Sequence, residues 1–421
     1  MSYISLDGVQ LGDGPQLDAF NRLRVSNPVS VFGTSQEYNF HPLLWDHHTA
    51  SGGTATHSVV TNSTVLSTAS TGTGARAIRQ TKIYLRYSPG KSHLIKMTGT
   101  LQKSAVPAGV AYAGIGYYDD NNGVYFRQDS TGVACVIRSN ASGSVVEERF
   151  YLSTWNMDKL DGTGPSGLTV DWTKEQIFVF DLQWLGVGRV RFGLSLLGTY
   201  VYVHEVNNSN SKSTVYMRTA CLPPRYEVFN NGGTGANISV EAICTSVESE
   251  GGLHEDEYYS FSYSAYLTPA SLDTTLRPFV TRRLRDTFNG LTVRGHAHLD
   301  GFDVVVGTNT IYWEIRYNAT VVIGGGGSTV GPTNVDTTHS ISEFDTYTGA
   351  SNTVTGGVVI SNGFVSPGTG SNKSTLSVHS TGSRPLLGRT YAGARDSYTL
   401  CARSLTGSAS MSVAVQLHEQ Y

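Results

Sequence analysis

Short runs of alternating apolar and polar residues, broken by turn residues at intervals of roughly 8 to 15, restrict what this chain can fold into. Ile83-Tyr84-Leu85-Arg86-Tyr87 alternates with a period of two, Pro89-Gly90 turns, and His93 to Leu101 alternates again. Ile177 to Leu185, Arg189 to Leu196 and Thr199 to His204 repeat the pattern, with Leu197-Gly198 between the last two. A period of two sends successive side chains to opposite faces of a strand, so one face can pack and the other can meet water. No long window carries the 3.6-residue period of a helix, which disfavours βαβ units. The pattern predicts an all-β fold: an antiparallel β-sandwich or jelly roll of the lectin-like kind, followed by a second, smaller β-sandwich.

The boundaries follow from shifts in composition. Residues 1–32 are punctuated by Gly, Asp and Pro and read as an extended N-terminal arm. Residues 33–250 hold the first sandwich, opening with the polar strands Thr54 to Val60 and Ser63 to Thr68. Residues 251–275 read as an aromatic-rich linker, marked by Gly251-Gly252 and the acidic Glu255-Asp256-Glu257. Residues 276–421 hold the second sandwich and end in a strand over Met411 to Leu417. Two places carry large apolar residues without an evident core of their own. Phe20, Leu23, Val25, Val31 and Phe32 lie in and beside the arm, and Tyr258, Tyr259, Phe261 and Tyr263 in the linker. These are the candidate interface residues, since aromatics are enriched where proteins meet.

Composition narrows the partners. Charged residues are 15% of the chain, against roughly 25% in ordinary soluble proteins. Hydrophobic residues at 39% and aromatics at 10% still supply a core, so low charge does not imply disorder. A net charge of −3 offers no basic footprint for nucleic acid or for anionic membranes. No apolar stretch approaches the ~20 residues of a membrane-spanning helix. The N-terminal residues lack the basic and apolar segments of a signal peptide, so cytoplasmic synthesis is expected.

Chemistry-bearing motifs are weak. Cys135, Cys221, Cys244 and Cys401 are never closer than 23 residues, which excludes paired zinc ligands and suggests buried thiols. Asp46-His47-His48 is a poor metal fragment, because adjacent strand histidines point to opposite faces and cannot easily chelate one ion; an exposed loop is expected instead. His296-Ala297-His298 shares a face but lacks a nearby third ligand. Asp119-Asp120-Asn121-Asn122-Gly123 resembles the start of a calcium loop without its later ligands and reads as a tight Asn-Gly hairpin turn. Arg282-Arg283-Leu284-Arg285 reads as a solvated or interface strand. Gly186-Val187-Gly188 is a turn, not a dinucleotide fingerprint. No nucleophile elbow, phosphate loop or zinc-helix motif is present. No catalytic, cofactor or metal residue is therefore expected. Tyr117, Tyr118, Tyr125, Trp155 and Trp172 are candidate stacking faces should the sandwich bind a glycan.

Longer blocks carry a resemblance. Asp18-Ala19-Phe20-Asn21-Arg22-Leu23-Arg24-Val25-Ser26-Asn27-Pro28, followed by Val31-Phe32, is similar to the N-terminal signature of a family of tailed-bacteriophage virion structural proteins. Arg79-Gln80-Thr81-Lys82 with Tyr87-Ser88-Pro89-Gly90-Lys91-Ser92 resembles that family's next block. Trp184-Leu185-Gly186-Val187-Gly188-Arg189-Val190-Arg191-Phe192-Gly193 resembles its most distinctive one. The resemblance implies a non-enzymatic structural part of a virion, in tail, baseplate or neck. A capsid-surface decoration protein and a receptor- or glycan-binding module are the alternatives. It implies copies of itself as partners, as a trimer or hexamer, beside other virion proteins; a host surface glycan would be the partner under the glycan-binding alternative. It brings no cofactor.

Overall fold

In the computed structural model of the chain, residues 3–6, 9–12, 17–19, 23, 27–68, 74–108, 110–232, 237–251, 259–349, 351–367, 374–377 and 387–421 are described. The chain divides into two compact units, Met1–His254 and Glu255–Tyr421. Both are built from antiparallel sheets, as the period-two pattern requires.

In the first unit, a seven-stranded sheet runs in the order Val146–Tyr151, Gly132–Ser139, Gly123–Asp129, Val110–Tyr118, Pro224–Asn231, Ala75–Thr81, Trp45–Ala50. The second sheet orders Thr199–Asn207, Arg189–Leu196, Gln176–Leu182, His93–Thr100, Ser239–Glu250, Ser63–Ser67 and Thr54–Ser58. Alternation assigns the faces. Val124 and Phe126 turn inward from one sheet, and Phe178, Phe180 and Phe192 turn inward from the other. Phe126 centres that core, with ring centroids 5.2 Å from Phe178 and 5.5 Å from Phe180. Full burial of one such ring contributes roughly 2–3 kcal/mol, which is why the inward positions are apolar.

The Arg189–Leu196 strand turns into Thr199–Asn207 through Leu197 and Gly198, whose φ values are 51° and 81°. Positive φ at both positions is the geometry that matches the twist of a hairpin. The Asp119–Gly123 turn departs from its expected form. Tyr118 pairs with Gly123, and the connection is the four-residue Asp119–Asn122 loop. Asp119 closes it, accepting from the backbone N–H of Asn121 and Asn122 at 2.8 and 2.7 Å. An Asp side chain can stand in for a backbone turn in this way, which displaces the expected tight Asn-Gly turn.

The arm's last residues belong to the body. Pro28–Thr34 is a strand paired with Ser239–Glu250. Phe32 is buried in the sandwich core, its ring 5.8 Å from Trp45, and Val31 packs against the same core. Nearer the N-terminus, Tyr3–Leu6 pairs with Val9–Gly12.

In the second unit, a four-stranded sheet orders Tyr259–Leu272, Ala409–Gln420, His296–Val306, Ser374–Ser377. It faces a six-stranded sheet containing Arg277–Leu284, Ser397–Ser404 and Ile311–Tyr317 at its centre. Trp313 and Phe302 meet edge to face at 4.8 Å between them. The stretch read as a linker enters this unit, since its residues from Tyr259 form a strand along Ala409–Gln420. Arg282 departs from the solvated-strand expectation. It shares the inward face of its strand with Val280 and Leu284 and is 2% exposed. Its guanidinium donates to the His298 carbonyl at 3.2 Å and to Ser342 Oγ at 3.0 Å, which compensates burial. Arg283, on the opposite face, pairs with Glu343 and Asp345.

Candidate functional site

Two constructions in the first unit use charge where a sandwich needs none. The first lies on the outward face of the sheet that contains Arg189–Leu196. Val190, Phe192 and Leu194 of that strand point into the core, so Arg189 and Arg191 point out. Arg191 and Asp181 pair at 2.5 Å, and both are wholly buried. Ser92 donates to the other Asp181 oxygen at 2.6 Å, and Tyr202 donates at 2.9 Å. What covers the pair is the N-terminal segment. Arg191 donates to the Leu17 carbonyl at 2.7 Å. Arg189 donates to the carbonyls of Asp18 and Ala19, both at 3.2 Å. Leu17, Asp18 and Ala19 are themselves buried.

The sequence blocks quoted above therefore meet at one place. Asp18 and Ala19 open the first, Ser92 ends the second, and Arg189 and Arg191 belong to the third. Trp184, which starts the third, receives order from the second: its backbone N–H donates to the Tyr87 hydroxyl at 3.1 Å. Glycines shape the turn between. Gly186 has φ of +78°, and a Cβ at Gly188 would collide with the Gln183 carbonyl. Only residues without side chains make that turn at no steric cost. We refer to the assembly as the clamp.

The second construction lies on the outward face of the seven-stranded sheet. Gly114 and Gly116 leave a bare floor, across which the Tyr118 and Tyr125 rings stack at 4.2 Å and 17°. A Cβ at Gly116 would stand 2.5 Å from the Tyr125 Cα. Guanidiniums lie over the rings: Arg138 is 5.0 Å from Tyr125, Arg225 5.2 Å from Tyr118 and Arg127 4.1 Å from Tyr112. Such cation–π contacts strengthen as water is excluded. Carboxylates neutralise the cations. Glu147 accepts from Arg138 at 2.7 Å and from the Tyr125 hydroxyl at 2.6 Å. Glu227 accepts from Arg76 at 2.6 Å. Asp120 bridges Arg76 and Arg225, at 2.7 Å from each. Above this lattice an open pocket of about 230 Å³ is lined by Arg76, Tyr112, Asp120, Arg138, Val145, Glu147 and Phe229.

The electrostatics limit the chemistry. Burial pushes the Glu147 carboxyl up, but the Arg138 charge and hydrogen bonds from Tyr125, Arg138 and Arg149 bring it down to about 2. Glu227 is likewise held below the ordinary range by Arg76, Arg225 and Arg138 against the pull of burial. Two ionised carboxylates of this kind bind and brace, but neither carries a proton to donate near neutrality. A carboxyl pair with separated affinities lies elsewhere. Glu175 is pushed up by burial and by Glu241. Glu241 is held down, against burial, by Lys103 and Ser63.

Of the expected site residues, Phe20, Val25 and Tyr258 lie outside the described residues. Leu23 is half-buried and bridges Leu17. Tyr259 is exposed and stacks on Tyr421 at 5.6 Å. Phe261 is half-buried, and Tyr263 stacks on Phe344 at 4.3 Å. Of the expected glycan-stacking residues, four are buried and Trp172 is half-buried. Tyr117 and Trp155 belong to the hydrophobic core, and Trp172 packs against it. Tyr118 and Tyr125 are buried in the lattice. His47 stacks on Phe40 and shares a short hydrogen bond with Arg79. Among the described residues, no group of three or more His, Cys, Asp or Glu side chains is placed to hold a metal. Sequence reading missed the clamp and the lattice. One signal was available: in Arg189-Val190-Arg191-Phe192, alternation puts both arginines on a single face.

No protein-family model matches the chain, and no curated protein matches it. Solved structures show a distant likeness over about half of it. An endo-1,3-β-glucanase from Streptomyces sioyaensis is 8% identical, covering 53% of this chain and 97% of that one, with a TM-score of 0.35. A carbohydrate esterase from a Shiga toxin-encoding bacteriophage is 9% identical, covering 53% and 99%, with a TM-score of 0.31. A legume lectin-like domain from Entamoeba histolytica is 9% identical, covering 53% and 98%, also at 0.31. The all-β architecture rests on the strand pairing of this chain itself.

Proposed function

We propose that this chain is a non-enzymatic structural component of a tailed-bacteriophage particle, built into the tail, baseplate or neck by assembly with copies of itself and other virion proteins. One observation supports the reading above the rest. The blocks that resemble a virion structural family converge on a clamp that fixes Leu17–Ala19 to the outward face of a sheet. They are spent on holding the chain's own N-terminal segment. That is the economy of a building part, whose repeated elements must keep one geometry under symmetric packing. The low charge agrees, because interface cores are depleted in Lys, Glu and Asp.

Quantitative mass spectrometry of purified particles, from cells carrying the genome that encodes the chain, tests the proposal. Copies in fixed stoichiometry with the other virion proteins are expected. Absence of the chain from clean particles, or release of reducing ends from host polysaccharide by the purified protein, overturns it.

A further inference from the structure

We propose that the strand Val358–Val365 is a self-association edge, which pairs antiparallel with the same strand of a second copy of the chain. The proposal rests on the reading of the chain as a part that assembles with copies of itself, and it names the surface used.

The strand is the outer member of the six-stranded sheet, and among the described residues it pairs on one side only, with Ile311–Tyr317. Its other side presents a row of backbone N–H and C=O groups, which a further extended strand meets group for group. A register shift at Ile360 interrupts the pairing, so Ser361–Val365 is the regular, open stretch.

The residues of this edge do nothing to close it. Outer strands are commonly blunted by charge, by proline or by shortness. Val146–Tyr151 carries Glu147, Glu148 and Arg149, and Trp45–Ala50 carries Asp46 and two histidines. Val358–Val365 reads Val-Val-Ile-Ser-Asn-Gly-Phe-Val, with neither charge nor proline. Phe364 is 64% exposed, and Val358 and Val359 are exposed beside it. The Phe364 ring lies against Tyr312, centroids 5.3 Å apart, so it is placed before a partner arrives.

The occupant follows from charge and closure. A foreign partner is selected largely by complementary charge, and this edge carries none to select with. Two copies of the same uncharged strand meet with no like-charge opposition, which would otherwise penalise a two-fold pairing. The opposite edge of the sheet is Ser328–Asn334. It contains Pro332, which has no N–H to donate, and its own register shift falls between Val330 and Thr333. A sheet with one open and one broken edge joins one neighbour and stops, giving a closed dimer and not a fibre.

Sedimentation of the purified full chain tests the pairing. A reversible monomer–dimer equilibrium is expected, weak because a single strand pair buries little area. Phe364→Lys sets like charges across the pairing and should weaken association at least roughly tenfold, with an unchanged melting midpoint. Val330→Lys, at a comparably exposed position on the broken edge, should leave association unchanged. Amide hydrogen exchange over residues 361–365 should slow as protein concentration rises. Should Phe364→Lys unfold, the exchange measurement decides alone. The proposal is overturned if the chain stays monomeric up to roughly 0.5 mM, if folded Phe364→Lys associates like the parent, or if exchange at 361–365 is independent of concentration. A chain present in particles yet monomeric in solution refutes the edge and leaves the virion reading standing. A dimer that never enters particles supports the edge and refutes that reading.

Discussion

Replacing Arg191 by methionine should unfold the first sandwich far more readily than removing an ordinary surface arginine. Arg191 and Asp181 have side-chain exposures of 0%. Truncating the cation leaves the Asp181 carboxylate buried and without its guanidinium, though it still accepts from the Ser92 and Tyr202 hydroxyls. Breaking a buried pair from one side costs about 3–5 kcal/mol. The two surviving hydrogen bonds place this case near the lower end, at about 3 kcal/mol. The Leu17 carbonyl also loses the Arg191 donor, so the N-terminal segment should be held less firmly. Urea unfolding followed by tryptophan fluorescence measures the loss, and a midpoint shift of roughly 1 M is expected for slopes of a few kcal/mol per M. Limited proteolysis should cut near residue 17 in the variant before the body is attacked. Asp181→Leu with Arg191→Met should recover much of the stability, because an apolar pair of similar volume avoids the uncompensated charge. A single variant within ~1 kcal/mol of the parent, or a double variant no better than the single, would refute the reasoning.

Three further outcomes follow from the same geometry. His93 and His204 are buried without ring hydrogen bonds among the described residues, and burial lowers both to about 4. The unfolded chain takes up protons near 6.5 while the folded one does not. Stability should therefore be full above that pH and fall between about 6.5 and 4, by up to roughly 3 kcal/mol per histidine. Urea midpoints at pH 7, 5 and 4 check this, and His204→Phe should flatten the decline. Leu197 is 89% exposed with φ of 51°, so Leu197→Asn should raise the melting temperature by relieving roughly 1 kcal/mol of left-handed strain. No gain would mean the hairpin does not hold that φ in solution. Gly116→Ala would drive a methyl into Tyr125 and should cost about 1–3 kcal/mol. A neutral result by calorimetry would remove the glycine floor from the account.

How much of this could be read from the residues alone depends on range. Strands were legible because alternation is local: the reading at Thr54 to Val60 and Ser63 to Thr68 corresponds to the paired strands Thr54–Ser58 and Ser63–Ser67. The Leu197-Gly198 turn was legible for the same reason. The lattice was not, because Arg76 finds Glu227 and Arg225 finds Gln80 across the sheet, 151 and 145 residues away. Nor was the burial of Arg282, since its strand neighbours Arg283 and Arg285 suggested a solvated run. Sequence motifs pointed to a shared family resemblance, while the physical bonds among them, Arg189 to the Asp18 and Ala19 carbonyls and Trp184 to the Tyr87 hydroxyl, appear only in the folded chain.

The most direct test is a cryo-EM reconstruction of intact particles from cells carrying this gene. The account predicts density for both sandwiches at symmetric positions, with Leu17 to Ala19 seated on Arg189 and Arg191 of the same sheet. Particles with no density for the chain, or with its N-terminal segment detached from that face, would contradict it.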